Sequence, residues 1–250
     1  MTTKQPEQPT SATHFATVSL LSTIGVAQGG LALDPNAATA LGERARRGGA
    51  DVQDDAARRV PDLLNMACTA DTHRLVSAAF GGDPILLSRC DFVIEAGLEA
   101  QWHIAGKSVR GQSAMLRAIL GVSHWISLGD ASMDVSTASR RLPASQISPA
   151  PGSRCKTIAL TAGQSVFLGR GTRFRLGQGT WLGLDYVRAW MKPDILFASA
   201  LPQPILDALD PALPEVLGAH ISLPTSVDAF IEAEAAAARG ELANISGRGV

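Results

Sequence analysis

The stretch KTIALTAGQSVFLGRGTRFRLGQGTWLGLDYVRA, residues 156–189, decides the fold. It breaks into the apolar or alternating runs 156–161, 165–170, 172–176 and 181–189, separated by glycine-bearing turns. Short runs of this kind between turn residues form strands, because alternate side chains then share one face of a pleated ribbon. Outward from this stretch, 85–95, 100–104 and 122–128 follow the same pattern, whereas 112–120 fits helix and strand equally well. Many short strands at regular spacing predict a sandwich or barrel, mainly β with helices packed outside.

The helices are marked by their ends. Asp34-Pro35 supplies an N-cap followed by Pro at the first helical position, 37–47 carries strong helix formers, and Gly48-Gly49 closes the segment. Between 60 and 80, Leu63, Leu64 and Ala67, then Leu75, Val76 and Ala79, have the spacing of two consecutive helices. Asp71 is the expected cap between them and Gly81-Gly82 the stop. In the tail, helices are predicted at 204–209, 211–217 and, behind the capping box Thr225-x-x-Asp228, at 230–239. The expected organisation is a flexible arm at 1–13, one β-domain with its helices at 14–224, and a C-terminal helix and tail at 225–250.

Composition excludes several functional classes. With 46% hydrophobic and 18% charged residues the chain is globular, not disordered. A formal net charge of −1, with arginines in short separated clusters, gives no phosphate-binding face, so no nucleic-acid partner is expected. No apolar run approaches the roughly 20 residues of a bilayer span, and the start lacks the basic-then-apolar order of a secretory signal. No membrane association is expected. The cysteines Cys68, Cys90 and Cys155 are odd in number and widely spaced, which fits neither a disulfide framework nor a zinc cluster. Reduced thiols and a cytoplasmic location are expected.

Three blocks carry a likeness to a known family. The first runs from Leu75-Val76 through Gly81-Gly82-Asp83-Pro84 to Gln101-Trp102-His103-Ile104-Ala105-Gly106. The second is Trp125-Ile126-Ser127-Leu128-Gly129-Asp130 followed by 140–146. The third joins 162–177 to Tyr186-Val187-Arg188-Ala189-Trp190-Met191-Lys192-Pro193. In order and separation, over roughly 22–219, these blocks resemble the phytanoyl-CoA dioxygenase family. The resemblance implies a double-stranded β-helix, or jelly roll, with Fe(II) held by two His and one carboxylate and 2-oxoglutarate held by an Arg.

A facial triad needs two imidazoles and a carboxylate on a rigid rim. At the corresponding positions this chain retains His103, but the carboxylate position is Ala105, and aligning Gly163 and Gly177 with the family glycines puts Phe174 at the distal His. A methyl and a phenyl group cannot ligate. The Arg for 2-oxoglutarate is not found in the shortened 177–181 connection, while Arg173 and Arg175 share one face of a strand by alternation and read as surface residues. No cofactor is expected on this reading. Fe(II) and 2-oxoglutarate belong to an alternative, an oxygenase or halogenase with an atypical His-x-Ala site.

An imidazole not tied to metal titrates near neutrality, which makes His103 the expected acid-base group. His124 is expected to point into the same interior, with Tyr186 completing the catalytic set and Asp185, Lys107 and Asp130 as helpers. Gln101, Trp102, Ala105, Phe174 and Trp125 are the expected substrate-binding residues, and Cys90 reads as buried filler. The expected function is a metal-independent isomerase, cyclase or lyase acting on a small organic molecule in specialised metabolism. The competing reading is a non-catalytic protein that binds a ligand or partner, with a second copy of the chain or a partner enzyme as candidates.

Overall fold

The computed structural model describes residues 16–21, 24–48, 64, 69–82, 84–95, 101–105, 121–136, 148–149, 153–169, 171–189, 193, 195–211 and 213–219. The chain divides into a unit Met1–Gly218, which holds every element below, and a second unit Ala219–Val250. The expected arm at 1–13, the ambiguous segment 112–120, the block 140–146, Lys107, and the helix at 230–239 lie outside the described residues, as does the first of the two helices between 60 and 80 except for Leu64.

The strands are β1 Val26–Leu31, β2 Ile85–Glu95, β3 His103–Ile104, β4 Gly121–Ser127, β5 Ala131–Ser136, β6 Cys155–Leu160, β7 Gln164–Gly169, β8 Arg173–Leu176 and β9 Gly179–Arg188. They form a five-stranded sheet in the order β1-β7-β4-β9-β2 and a four-stranded sheet in the order β3-β8-β5-β6. The paired strands run antiparallel throughout. From β2 onward, β2, β4, β7 and β9 enter one sheet and β3, β5, β6 and β8 the other, which is the interleaving of a jelly roll. The predicted fold class therefore holds.

Helix α1 spans Pro35–Gly48 and α2 spans Ala70–Ala79. Asp34 Oδ1 accepts from the Asn36 and Ala37 amides at 3.0 and 3.1 Å, the N-cap expected from Asp34-Pro35. The cap of α2 is instead Thr69, whose Oγ1 accepts from Thr72 N at 3.3 Å, and Asp71 falls inside the first turn. Three short helices follow β9: α3 Phe197–Ala200, α4 Gln203–Asp207 and α5 Leu213–Val216. No described helix is long and apolar enough to cross a membrane.

Two cores share the five-stranded sheet. On its outer face Val122, Ile126, Leu182, Leu184 and Tyr186 pack with Ala38, Leu41 and Ala45 of α1 and Leu75 and Val76 of α2. On its inner face Trp125, Val166, Leu168 and Trp181 meet Met133, Val135, Ile158, Phe174 and Leu176 of the four-stranded sheet. Strand β4 is buried along its whole length because it lies centrally with a core on each side. Burying one indole removes about 150–250 Å² from water, about 4–6 kcal/mol at about 25 cal/mol/Å², so Trp125 and Trp181 are major anchors between the sheets.

The turn between β6 and β7 ties these layers to α1. Gly163 N donates to Ser127 O at 2.8 Å, and Gly163 O accepts from Ala32 N at 2.8 Å. Gly163 has φ +82°, and a Cβ there would collide with the Leu33 carbonyl. Both the left-handed backbone and the contact exclude a side chain. Gly163→Ala is therefore expected to cost about 1–3 kcal/mol, read as a lower urea midpoint at unchanged m-value; an unchanged midpoint would show that this turn does not hold the layers together.

Candidate functional site

The site is built on the pairing of β3 with β8. His103 lies directly across from Phe174, and Ile104 across from Arg173. Beyond the strand end the pairing is extended by Ala105 N donating to Thr172 O at 2.9 Å. The His103 and Phe174 rings have centroids 5.5 Å apart, and Trp125 on the facing sheet meets Phe174 at 5.4 Å. Ala105 is 1% exposed and packs in the same inter-sheet core. His103, Ala105, Phe174 and Trp125 thus converge on one interior region, as the residue spacing implies.

The other expected members do not join them. His124 and Trp125 are adjacent on one strand and must point to opposite faces. Trp125 takes the inner face, and its ring lies over Gly183, where a Cβ would come within 2.6 Å. His124 takes the outer face, fully buried and stacked on Phe167 at 4.0 Å with the rings 6° from parallel. Tyr186 also belongs to the outer core beneath the helices. The expectation that His124 shares the interior of His103 is therefore corrected: both faces of β4 are apolar and buried, so hydrophobicity did not distinguish them.

Trp102 and Gln101 are likewise displaced from the inner region. Trp102 lies under the Arg175 guanidinium, 5.3 Å from its ring centroid, and Gln101 is exposed. Arg175 alternates with the inward Phe174 and pairs with Asp134 at 2.6 Å, so this cation–π contact is on the outside of the four-stranded sheet. Arg173 departs from its expected surface position: it is 1% exposed, and its Nη1 donates to Gly171 O at 2.8 Å.

Polar residues that the sequence reading passed over stand beside His103. Arg89 on β2 pairs with Asp185 on β9, and Asp185 pairs with Ser123 on β4, forming one row across the inner face. Arg89 Nε contacts Asp91 and lies 3.6 Å from Asp185 Oδ2, while Ser123 Oγ donates to Asp185 Oδ1. Burial first, and the Arg89 charge second, lower the His103 pKa below the ordinary imidazole value, so its neutral form prevails at neutral pH. Asp185 had been named only as a helper. The missed signal was the placement of Arg89 and Asp91 at alternate positions within an otherwise apolar run.

The described residues contain no group of three or more His, Cys, Asp or Glu placed to hold a metal. At the positions that the family resemblance assigns to the ligands stand one imidazole, one methyl and one phenyl, and the phenyl is held opposite the imidazole by strand register. These residues do not fit a facial-triad iron.

No protein-family model matches the chain, and no curated protein matches it. Solved structures are similar in fold. The epimerase SnoN, in complex with Fe3+, alpha ketoglutarate and nogalamycin RO, is 16% identical with a TM-score of 0.54, covering 71% of this chain and 84% of that one. The alpha ketoglutarate dependent carbocyclase SnoK from nogalamycin biosynthesis is 14% identical with a TM-score of 0.53, covering 70% and 83%. HygX from Streptomyces hygroscopicus, with nickel and 2-oxoglutarate bound, is 12% identical with a TM-score of 0.55, covering 71% and 88%. Identities this low establish the jelly-roll fold shared with non-heme 2-oxoglutarate enzymes.

His124 yields a stability test. Neither ring nitrogen has a hydrogen-bond partner among the described residues, and burial depresses its pKa to about 3. The unfolded chain binds this proton near the ordinary value of about 6.5 and the folded chain does not, so stability is full above that value and falls as pH drops toward 3. His124→Leu is expected to raise stability by about 1 kcal/mol at pH 7, and to reduce the acid loss by up to about 1.4 kcal/mol per pH unit between 6 and 4. Urea unfolding across that range measures both, and an unaltered pH slope would contradict the assignment.

Proposed function

We propose that this chain binds a small organic molecule in the inter-sheet region and performs a redox-neutral step on it, an isomerisation, cyclisation or elimination, with His103 moving the proton. The observation that carries the proposal is the state of His103. It is half-buried at the end of the inter-sheet core, faces Phe174 in place of a second imidazole, and forms no hydrogen bond among the described residues. A ring nitrogen so placed can accept a proton from a bound molecule, and burial together with Arg89 favours the neutral form needed to do so.

The surroundings support this use. Phe174 and Trp125 offer aromatic walls, Ala105 a small apolar one, and the Arg89, Asp185 and Ser123 row gives the region a polar side. Redox-neutral chemistry requires no dioxygen and no electron donor, in keeping with a donor set that does not fit iron. SnoN and SnoK are described as an epimerase and a carbocyclase; for this chain stereochemical or ring-forming outcomes are proposed by proton transfer alone, on substrates already at the oxidation level of the product. Cys90 and Cys155 form no disulfide among the described residues, which is compatible with the cytoplasmic setting proposed.

The test is conversion of the organism's small-molecule extract, followed by mass spectrometry, in EDTA and without dioxygen or 2-oxoglutarate. Products of unchanged mass, or lighter by one water, are expected with the wild-type chain. His103→Ala is expected to reduce their formation by about 10²–10⁴-fold. The acid limb of the wild-type pH profile is expected below the ordinary imidazole value of about 6.5. Products that gain oxygen, or a strict requirement for Fe(II), would overturn the proposal; ligand binding with full retention of function in His103→Ala would assign the chain to the non-catalytic class.

A further inference from the structure

Three polar groups, His103 and two donors near it, have hydrogen-bonding capacity that the described residues leave unused. Trp125 Nε1 is buried and has no partner. Arg89 lies in ion-pair contact with Asp91 and Asp185 on its Nε side, yet neither Nε nor its terminal amino groups make a hydrogen bond among the described residues. His103 itself is the third. The neighbouring acceptors are occupied, since Asp185 receives Ser123 on one oxygen and faces Arg89 with the other, and Asp91 contacts Arg89.

Arg89 and Trp125 lie on adjoining rows of the inner face of the five-stranded sheet, and His103 is on the facing sheet. Arg89, Asp185 and Ser123 form one row, and Asp91, Gly183 and Trp125 form the next. Since Gly183 carries no side chain, the Trp125 ring can spread over it. The two carboxylates lie on the Nε side of the guanidinium and keep its charge in place by ion pairing, which leaves its N–H groups to meet another acceptor. Unfilled donors in a partly dry region favour a ligand that brings oxygen acceptors. The side chain of Arg89 is 20% exposed, so such a ligand can reach it.

We infer that Arg89, held by Asp91 and Asp185, is the anchor for the carboxylate of a small organic acid, with Trp125 Nε1 as an auxiliary donor and His103 beside the bound molecule. This inference rests on the functional reading above and narrows its substrates to carboxylic acids. The anchor comes from β2 through a side chain already braced by two acids, and Asp185 on β9 serves as its brace. The competing possibility follows from net charge: two carboxylates and one guanidinium sum to −1, which suits an ammonium ligand. The free donors favour the anion.

The experiment is titration calorimetry on the full chain in EDTA with three probes of similar length: malonate, malonamide and 1,3-diaminopropane. Malonate is expected to bind at least about tenfold more tightly than malonamide, with no binding of the diamine. It is also expected to shift the indole ¹H–¹⁵N resonance of Trp125, assigned through Trp125→Phe. Arg89→Gln should weaken malonate by about tenfold or more. Should that variant fail to fold, Arg89→Lys, which keeps the cation for both aspartates but loses the fork, decides the matter by a clear loss of affinity.

His103→Ala should keep the preference for malonate over malonamide and its dependence on Arg89 while losing conversion, which separates anchoring from proton transfer. Equal binding of malonate and malonamide, preference for the diamine, or unchanged malonate affinity in a folded Arg89 variant would overturn the anchor. His103-dependent conversion would in those cases still stand. Loss of that conversion with intact Arg89-dependent malonate binding would instead overturn the functional reading alone.

Discussion

The pairing of β3 with β8 is the constraint on which the rest depends. Backbone hydrogen bonding fixes register, and register places a phenyl ring across from His103 at a position where the family likeness implies an imidazole. A shift by one residue would turn Phe174 out of the core and bring Arg173 or Arg175 inward. The inter-sheet core resists this shift, because Phe174 packs with Trp125, Met133, Val135 and Leu176. The same packing that makes the jelly roll stable therefore determines which groups a bound molecule would meet.

Two cores on opposite faces of one sheet divide the labour. The outer core fixes the sheet to α1 and α2 and contains His124 and Tyr186, polar groups embedded among apolar neighbours. The inner core joins the sheets, and its polar edge carries His103, Arg89, Asp185 and Ser123. On the proposed reading, the neutral imidazole next to a guanidinium accepts a proton while an adjacent negative charge is stabilised. The outer histidine has no such company, and its stacking on Phe167 makes it a packing element.

Much of this was legible in the residues. Alternating runs located β2, β4, β6, β7, β8 and β9, whereas the pairing of Phe174 with His103 came only with the register of β3 and β8. Strands β1 and β5 were not legible, because VAQGGL contains two glycines and ASMDVS alternates small polar residues with only Met133 and Val135 fully apolar and buried. The face of His124 was not legible because β4 is buried on both sides, so composition gives no inside and outside. Arg89 and Asp91 depend on a contact between β2 and β9, strands about ninety residues apart in sequence, and local pattern carries no information about which distant charges will meet.

The account's central claim is that the ligand positions His103, Ala105 and Phe174 do not form an iron site, and one measurement tests it most directly. Anaerobic Fe(II) titration by calorimetry compares wild type with the double variant Ala105→Asp, Phe174→His, which restores a carboxylate and a second imidazole at the positions set by register. The account predicts no stoichiometric Fe(II) retention by wild type and measurable one-to-one binding by the double variant. Stoichiometric Fe(II) binding by the wild-type chain, lost in His103→Ala, would contradict it.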